Sequence, residues 1–566
     1  MEKGILYLSA TLLLALFFTA CEDLDRDIDT TLNERQVLES FDFTRNRLSA
    51  IYNDLPSGFS PVDGAMMASA TDEAEHVLQR SNIQKFNTGS WNALDNPDDV
   101  WNHFFSGIRK VNQFLETADK VNHDIYALDP DPSQQEAYQN RLNTIKQWKN
   151  EARFLRAYFY FELVRRYGGV PIITEVFKLG DEFGHVERNS LEESIQFIID
   201  ECDEVAEQLE PVYTGENLGR VTNVAAMALK SRLLLYAASD LFNNPGWARG
   251  YAHQELIALP AGNRVEQWKK AADAAKEVID EFGGVLSDDY RGLFRTFDNE
   301  EIILVRRHGP SNNFEITNYS PGFYRGEGGT GPSQNLVDAY EMQDGTPFDW
   351  NNSEHSADPY SNRDPRLSMS IITNNSEYKG RNIKIWRGGL DGPGQARATR
   401  TGYYLKKYVD ENIDLLENTT SVHSWILIRL AEIYLNYAEA LNEYAPGHSD
   451  IEFYVDAVRG RPGVEMPPLP HGLPQSQMRE RIRNERKVEL AFEDHRFWDL
   501  RRWMIAPDFL GARLRGVEVE RIGNSVFTYN PVVVENRVFD ATKMYLYPIP
   551  QNELNKMPGL VQNPGW

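Results

Sequence analysis

Glu151-Ala-Arg-Phe-Leu-Arg-Ala-Tyr-Phe-Tyr-Phe-Glu-Leu-Val-Arg-Arg-Tyr167 is apolar over most of a helical surface. A surface helix carries one apolar stripe, whereas a helix that is apolar nearly all round packs against neighbours on several sides. Gly168-Gly169-Val170-Pro171 ends it, because glycine frees the backbone and proline removes a donor. Working outward, the 3.6-residue apolar period predicts helices over roughly 33–54, 98–121, 134–167, 190–209, 222–241 and 264–282. Within them small and large apolar residues interleave, as in Ala226, Ala228, Leu229, Leu233 and Tyr236. The same pattern returns in Ala431, Tyr434, Leu435, Ala438 and Leu441. Small residues let paired helices approach while large ones fill the groove beyond, which is how tetratricopeptide-type hairpins stack.

From about 283 to 422 glycine, asparagine and proline punctuate the chain, with a flexible loop at Gly326–Gly331 and turns at Asp344-Gly345 and Asp391–Gly394. Loops this long inside a compact domain are often functional. Helices are predicted again over 423–444 and 476–503, followed by an irregular tail over 504–566.

The amino terminus carries a localisation signal. Lys3 precedes an apolar run from Ile5 to Ala20, which ends in Phe18-Thr19-Ala20-Cys21 before Glu22, Asp23, Asp25, Asp27 and Asp29. The pattern reads as a lipoprotein signal peptide over residues 1–20, with lipidation at Cys21 and a solvated acidic tether over 21–32. Three other readings compete. A transmembrane helix needs about 20 apolar residues, more than this run supplies. Thr19 and Ala20 also suit ordinary secretory cleavage, and Glu2 partly cancels Lys3. Nothing amphipathic flanks the run as a buried helix would require. The alternating aspartates lack the glycine turn and distal glutamate of a calcium loop.

The chain has 566 residues and a formal net charge of -25. That balance disfavours nucleic acid and anionic lipid surfaces, so membrane attachment is expected through the lipid alone. With Cys21 acylated, Cys202 has no partner in the chain. It lies on the helical stripe Ile195, Ile198, Ile199, Cys202, Val205, Ala206, Leu209 and reads as a buried structural thiol.

Several segments together resemble the SusD/RagB family of outer-membrane nutrient-binding lipoproteins. They are Glu151–Ala157 with Tyr167–Pro171, Arg220-Val-Thr222 leading into Ala228–Tyr236, and Ile428–Leu441. Glu485–Glu493 with Arg496 to Arg502, Pro548-Ile-Pro550 and Gln562–Trp566 complete the set, in order across nearly the whole chain. The resemblance implies an all-α body over 33–566, in which tetratricopeptide-like hairpins (about 33–282 and 423–503) support an irregular ligand-binding region. It also implies a surface lipoprotein that captures a glycan or oligosaccharide and passes it to a SusC-like TonB-dependent transporter, without catalysis. A structural calcium is compatible with this, and no residues localise it.

Glu485, Glu489 and Glu493 share a helical face, with Arg481, Arg486 and Arg496 three or four residues from one or another. They read as a helix-surface ion network. Glycosidase chemistry needs two acids across a sugar-sized gap, and nearby arginines keep a carboxylate ionised, which is wrong for a general acid. No His-Glu-x-x-His helix or Gly-x-Ser-x-Gly elbow occurs, and His103, His308 and His423 read as surface or capping residues. A degradative enzyme would have to recruit Glu315, Glu327, Asp338 or Glu341. A helical scaffold that binds only proteins is the third alternative.

Sugars are gripped by aromatic rings on their C–H faces and by polar side chains on their hydroxyl edges. Two stretches outside the periodic helices offer both. One runs from Asp72 and Glu73 through Arg80 to Trp91 and Asn92. The other holds Phe323, Tyr324 and Arg325, with Trp350 and Trp386 further on. Trp91 and Tyr324 are expected to stack, and Asp72, Asn92 and Arg325 to hydrogen-bond. The opposing reading makes Trp91 a core residue and Asp72 a helix cap.

Overall fold

A computed structural model describes residues 33–178 and 180–566. The expected leader, the acidic tether and Cys21 lie outside the described residues. Short helices α1 (Glu34–Glu39) and α2 (Phe41–Tyr52) meet at Ser40, whose side chain accepts from the Phe43 N–H and caps the second. The continuous helix expected over 33–54 is therefore two.

The scaffold follows as α3 (Trp101–Thr117), α4 (Pro132–Tyr167), α5 (Leu191–Ala206), α6 (Asn223–Ala238) and α7 (Arg264–Phe282). After the loop-rich region come α8 (Leu430–Tyr444), α9 (Ser449–Arg459), α10 (Gln475–Glu489) and α11 (Arg496–Arg502). Each of α3 to α9 packs on the next, and α7 meets α8 directly across the intervening segment. The stack of hairpins is thus continuous, and the loop-rich region is an insertion into it.

Local chemistry fixes the helix ends. Asp131 caps α4 by accepting from the Ser133 N–H, with Pro132 at the first helical position. Gly168 ends it at φ 77°, where a side chain would meet the Leu256 carbonyl oxygen at 2.3 Å. Ser190 and Glu193 form a capping box at the start of α5. Between Asn150 and Tyr167 nearly every residue of α4 is buried, as its all-round apolar surface requires. Cys202 is buried on α5, and burial pushes its thiol pKa up.

Three expectations need correction. Residues 423–429 are not helical: Ser421–Arg429 is a strand, antiparallel to Ile302–Ser311, with Val305 opposite Ile426 and Arg306 opposite Trp425. The run Trp425-Ile-Leu-Ile428 is buried within this pair, and the chain turns helical only after Arg429. The helix expected over 476–503 breaks between α10 and α11, where Phe492 and Asp494 take positive φ. The tail is not irregular throughout, because Arg513–Gly523 and Val526–Asn536 form a long antiparallel hairpin.

The glutamates of α10 and of the turn after it correct another. Glu485, Glu489 and Glu493 are buried, not on a helix surface. Glu489 binds Arg366 at 2.8 Å, Arg429 at 2.7 Å and Arg461 at 2.5 Å. Glu485 binds Arg366 and Arg459, while Glu493 binds Arg429 and Lys407. Of the arginines expected to pair with them, Arg481 binds Glu341, Arg486 binds Asp499 and Arg496 binds Asp72. Buried carboxylates must be paired to stay charged. Burial works against ionisation of Glu489, yet Arg461, Arg429 and Arg366 hold its carboxyl far below the usual range.

Candidate functional site

The first stretch of expected ligand residues turns inward. Asp72 and Glu73 lie beside the short strand Ala74–His76, which pairs with Thr330–Pro332. Asp72 is buried, accepting from Arg496 Nε at 2.8 Å and Lys487 Nζ at 2.9 Å. Burial opposes ionisation there, but those two cations hold its carboxyl below the ordinary range. Asp72 is therefore an ion-pair partner for α10 and α11, neither a sugar contact nor a helix cap. Glu73 is buried too, and burial with the Asp72 charge beside it pushes its pKa up to about 8.

Trp91 is 2% exposed, with its ring centroid 5.1 Å from Phe86, 5.1 Å from Tyr547 and 4.6 Å from Trp566. No face is left for a sugar, so the core reading of Trp91 holds and the stacking expectation does not. Asn92 is exposed, but its Oδ1 accepts the Leu94 N–H at 2.9 Å and closes a turn. Arg80 is exposed just beyond the same strand.

The second stretch builds an outward platform. Its pivot is Asp391, whose carboxylate accepts from Arg381 twice at 2.7 Å, from Ser320 Oγ at 2.6 Å and from the Lys384 N–H at 2.8 Å. Burial works against that charge, but the Arg381 and Ser320 bonds keep the carboxyl below its usual range. Gly322 lets the chain pass: a side chain there would meet Asp391 Oδ1 at 2.3 Å. The Arg381 guanidinium also lies 4.1 Å over the Phe323 ring. One buried carboxylate thus ties loop 319–329 to loop 381–392.

Beyond this pivot Tyr324 is 57% exposed, and Arg325 follows at φ 57° with its side chain in solvent. Trp386 is half-buried, its ring 5.1 Å from Phe527 and 5.3 Å below the Arg521 guanidinium. Phe527 and Arg521 sit at the tip of the 513–536 hairpin, opposite one another in its register. The structure therefore ties the loop of Phe323, Tyr324 and Arg325 to the loop that carries Trp386, and packs on Trp386 the hairpin tip, which the sequence reading missed. The available signal was the alternation Leu514, Gly516–Val517, Val519 before the Gly523-Asn524 turn. Trp350 stands nearer the hairpin base, where its Nε1 donates to Asp338 Oδ1 at 3.0 Å and Arg515 pairs with the same carboxylate at 2.7 Å.

The carboxylates an enzyme would recruit are mostly engaged elsewhere. Glu315 accepts from His423 Nε2 at 2.9 Å and from the Asp410 N–H at 3.0 Å. His423 is consequently a buried ion-pair partner, not a surface or capping residue. Asp338 is held by Arg515 and Trp350, and Glu341 by Arg459 and Arg481. Among the described residues, no group of three or more His, Cys, Asp or Glu side chains is placed to hold a metal ion, and no helix is long and apolar enough to cross a membrane.

Comparison with known proteins agrees with this architecture. One family model, described as the SusD family, matches residues 304–566, and another, described as starch-binding associating with outer membrane, matches residues 24–235. A SusD-like protein of Formosa agariphila is 24% identical over 504 residues, which is 86% of this chain and 84% of that protein. A solved SusD-like protein from Bacteroides fragilis is 27% identical with a TM-score of 0.77, covering 94% of this chain and 99% of its own. A second from that species, described as a SusD-like carbohydrate binding protein, superposes with a TM-score of 0.74 at 23% identity over 93% of this chain and 100% of its own. At that identity the second likeness speaks for the fold alone.

Proposed function

The chain belongs to the SusD family, and on that footing we propose that it is a surface glycan-binding lipoprotein. It is acylated at Cys21, anchored in the outer membrane, and hands a glycan or oligosaccharide to a SusC-like TonB-dependent transporter without cleaving it. The observation that carries the reading is the exposed aromatic platform. Tyr324 stands in solvent next to Phe323 on one loop and Trp386 is half-buried on the other, the two loops being tied together by the buried Asp391. Rings presented on a rigid non-helical surface suit the C–H faces of a sugar. Arg325 and Lys384 on the same loops supply donors for its edges. The family description of starch binding and outer-membrane association supports both ligand class and location.

Support for the non-catalytic part comes from the engagement of Glu315, Asp338 and Glu341, three of the four carboxylates an enzyme would recruit, in ion pairs. The test uses the soluble chain lacking residues 1–21 and a glycan panel. Tyr324→Ala and Trp386→Ala are expected to weaken binding of whichever glycan is retained at least ~10-fold, in keeping with ~1–2 kcal/mol for lost ring contacts. Unchanged affinity in both variants would remove the platform from the site. Shortened glycan chains after prolonged incubation would overturn the non-catalytic reading.

A further inference from the structure

The platform differs in charge from the rest of the molecule. The chain carries 84 acidic and 59 basic side chains, yet residues 379–400 hold Lys379, Arg381, Lys384, Arg387, Arg397 and Arg400 against Asp391 alone. Arg325 and Arg521 add to the same surface from the neighbouring loop and the hairpin tip. An acidic protein that concentrates cations around one aromatic platform creates a local positive field there.

The pairing of these cations matters as much as their number. Elsewhere arginines are spent on buried carboxylates, as in the cluster around Glu489. On the platform Arg381 is engaged by Asp391, Arg400 by Glu75 at 2.8 Å, and Lys379 by the carbonyls of Glu411 and Ile413. The remainder are not so held. Among the described residues Arg325, Lys384 and Arg397 have no carboxylate within 4.0 Å, and Arg387 reaches Glu518 only at 3.8 Å. Arg397 is held at φ 66° with its carbonyl against the 323–329 loop, and its buried Nη1 has no hydrogen-bond partner. Close by, His76 and Thr330 sit opposite each other in their strand pair. Both ring nitrogens of His76 and the Thr330 hydroxyl lack partners. The acids on the neighbouring segments include Glu327, Glu377, Glu518 and Glu520, of which Glu518 approaches a platform cation, while Asp410, Glu411, Asp414 and Glu315 face Lys379 and Glu75 faces Arg400.

We propose that the saccharide taken by this platform is anionic, bearing carboxylate or sulfate groups that the guanidinium and ammonium groups of Arg325, Lys384, Arg387 and Arg397, none of them held in a close ion pair, receive. Guanidinium matches both oxyanions in a two-bond fork, and lysine meets them as a point charge. The aromatic rings hold the sugar faces and the cations select the substituents. The assignment rests on the glycan-binding reading and narrows it to a substrate class.

The test is affinity electrophoresis and calorimetry with polygalacturonate, a sulfated galactan, uncharged galactan, uncharged amylose and duplex DNA, at low and moderate salt. The expected result is retention by polygalacturonate or the sulfated galactan, at least tenfold weaker binding of the uncharged polymers, and affinity that falls as salt rises. Which anionic polymer is retained tells carboxylate from sulfate. Arg325→Gln with Lys384→Gln and Arg397→Gln should reduce anionic binding at least tenfold, and Tyr324→Ala should reduce it independently. Preference for an uncharged polymer, sensitive to Tyr324→Ala but not to the charge variant, would overturn the anionic class and keep the glycan reading. Loss of neither on any polymer would overturn both. Retention of DNA equal to that of the polysaccharides would overturn it as charge without sugar recognition.

Discussion

Glu489→Gln isolates what the buried ions contribute. The side chain is fully buried and accepts charge-assisted bonds from Arg366, Arg429 and Arg461. Three such bonds at ~1.5–3 kcal/mol each set a ceiling of about 5–9 kcal/mol. The ceiling is not reached, because all three guanidiniums keep other acids, two of them a pair each. Arg366 retains Asp364 and Glu485, and Arg429 retains Glu301 and Glu493. Arg461 keeps only Glu301, at 3.0 Å, so it becomes the under-compensated charge. The expected loss is therefore ~3–5 kcal/mol, the cost of breaking one buried pair. Urea unfolding followed by tryptophan fluorescence reads it at equilibrium, and the unfolding rate reads it if refolding is incomplete. The double variant Glu489→Gln with Arg461→Met should recover part of the loss, because it removes the cation left short of an acid. A loss under ~1 kcal/mol, or a double variant no more stable than the single one, would refute the view that this cluster works through charge balance.

Two further outcomes follow from groups the sequence reading had placed in the ligand site. Glu73 holds its proton to about pH 8 in the folded chain, against an ordinary value of 4.5, so the native state binds more protons than the unfolded one between those limits. Stability should then fall as pH rises from 4.5 towards 8, by up to a few kcal/mol from this group, and Glu73→Gln should flatten that slope in denaturation measured across the range. A variant with the wild-type slope would show that Glu73 ionises freely. Trp91→Ala should cost about 3–5 kcal/mol of stability through the cavity left among Phe86, Tyr547 and Trp566, while the folded fraction keeps its glycan affinity. Calorimetric titration below the melting temperature checks the second half, and weakened binding by intact protein would return Trp91 to the site.

What was legible in the sequence was whatever local pattern decides. Helix α7 occupies the span its periodicity predicts, from the Asn263 cap to Gly283. The Ser190–Glu193 capping box announces α5 in the same way. Residues 423–429 were misread because a short apolar run suits a strand or a buried helix equally, and the choice was made by a distant partner strand. Burial was illegible for the same reason. Trp91 is covered by Tyr547 and Trp566, and Asp72 is claimed by Lys487 and Arg496, all contributed from the far end of the chain. Tyr324 and Trp386 lie outside the helices, as their glycine-punctuated context suggested, with Tyr324 exposed and Trp386 half-buried.

The buried ions also explain how a long insertion can carry a site at all. Glu301, Glu341, Arg366 and Lys407 belong to the loop-rich segment, while Arg429, Arg459, Arg461 and the three glutamates of α10 and its following turn belong to the scaffold. Each bond of the cluster crosses from one to the other or braces one that does. An apolar interface between loops and helices would permit sliding among near-equal packings, whereas charges inside a low-dielectric core are satisfied only in one register. Asp391 repeats the device one level outward, fixing Phe323 and Lys384 relative to each other. On the proposed reading a ligand meets loops and rings already in place. Less of the binding free energy is lost to ordering them, which is the condition under which a shallow exposed surface can hold a sugar.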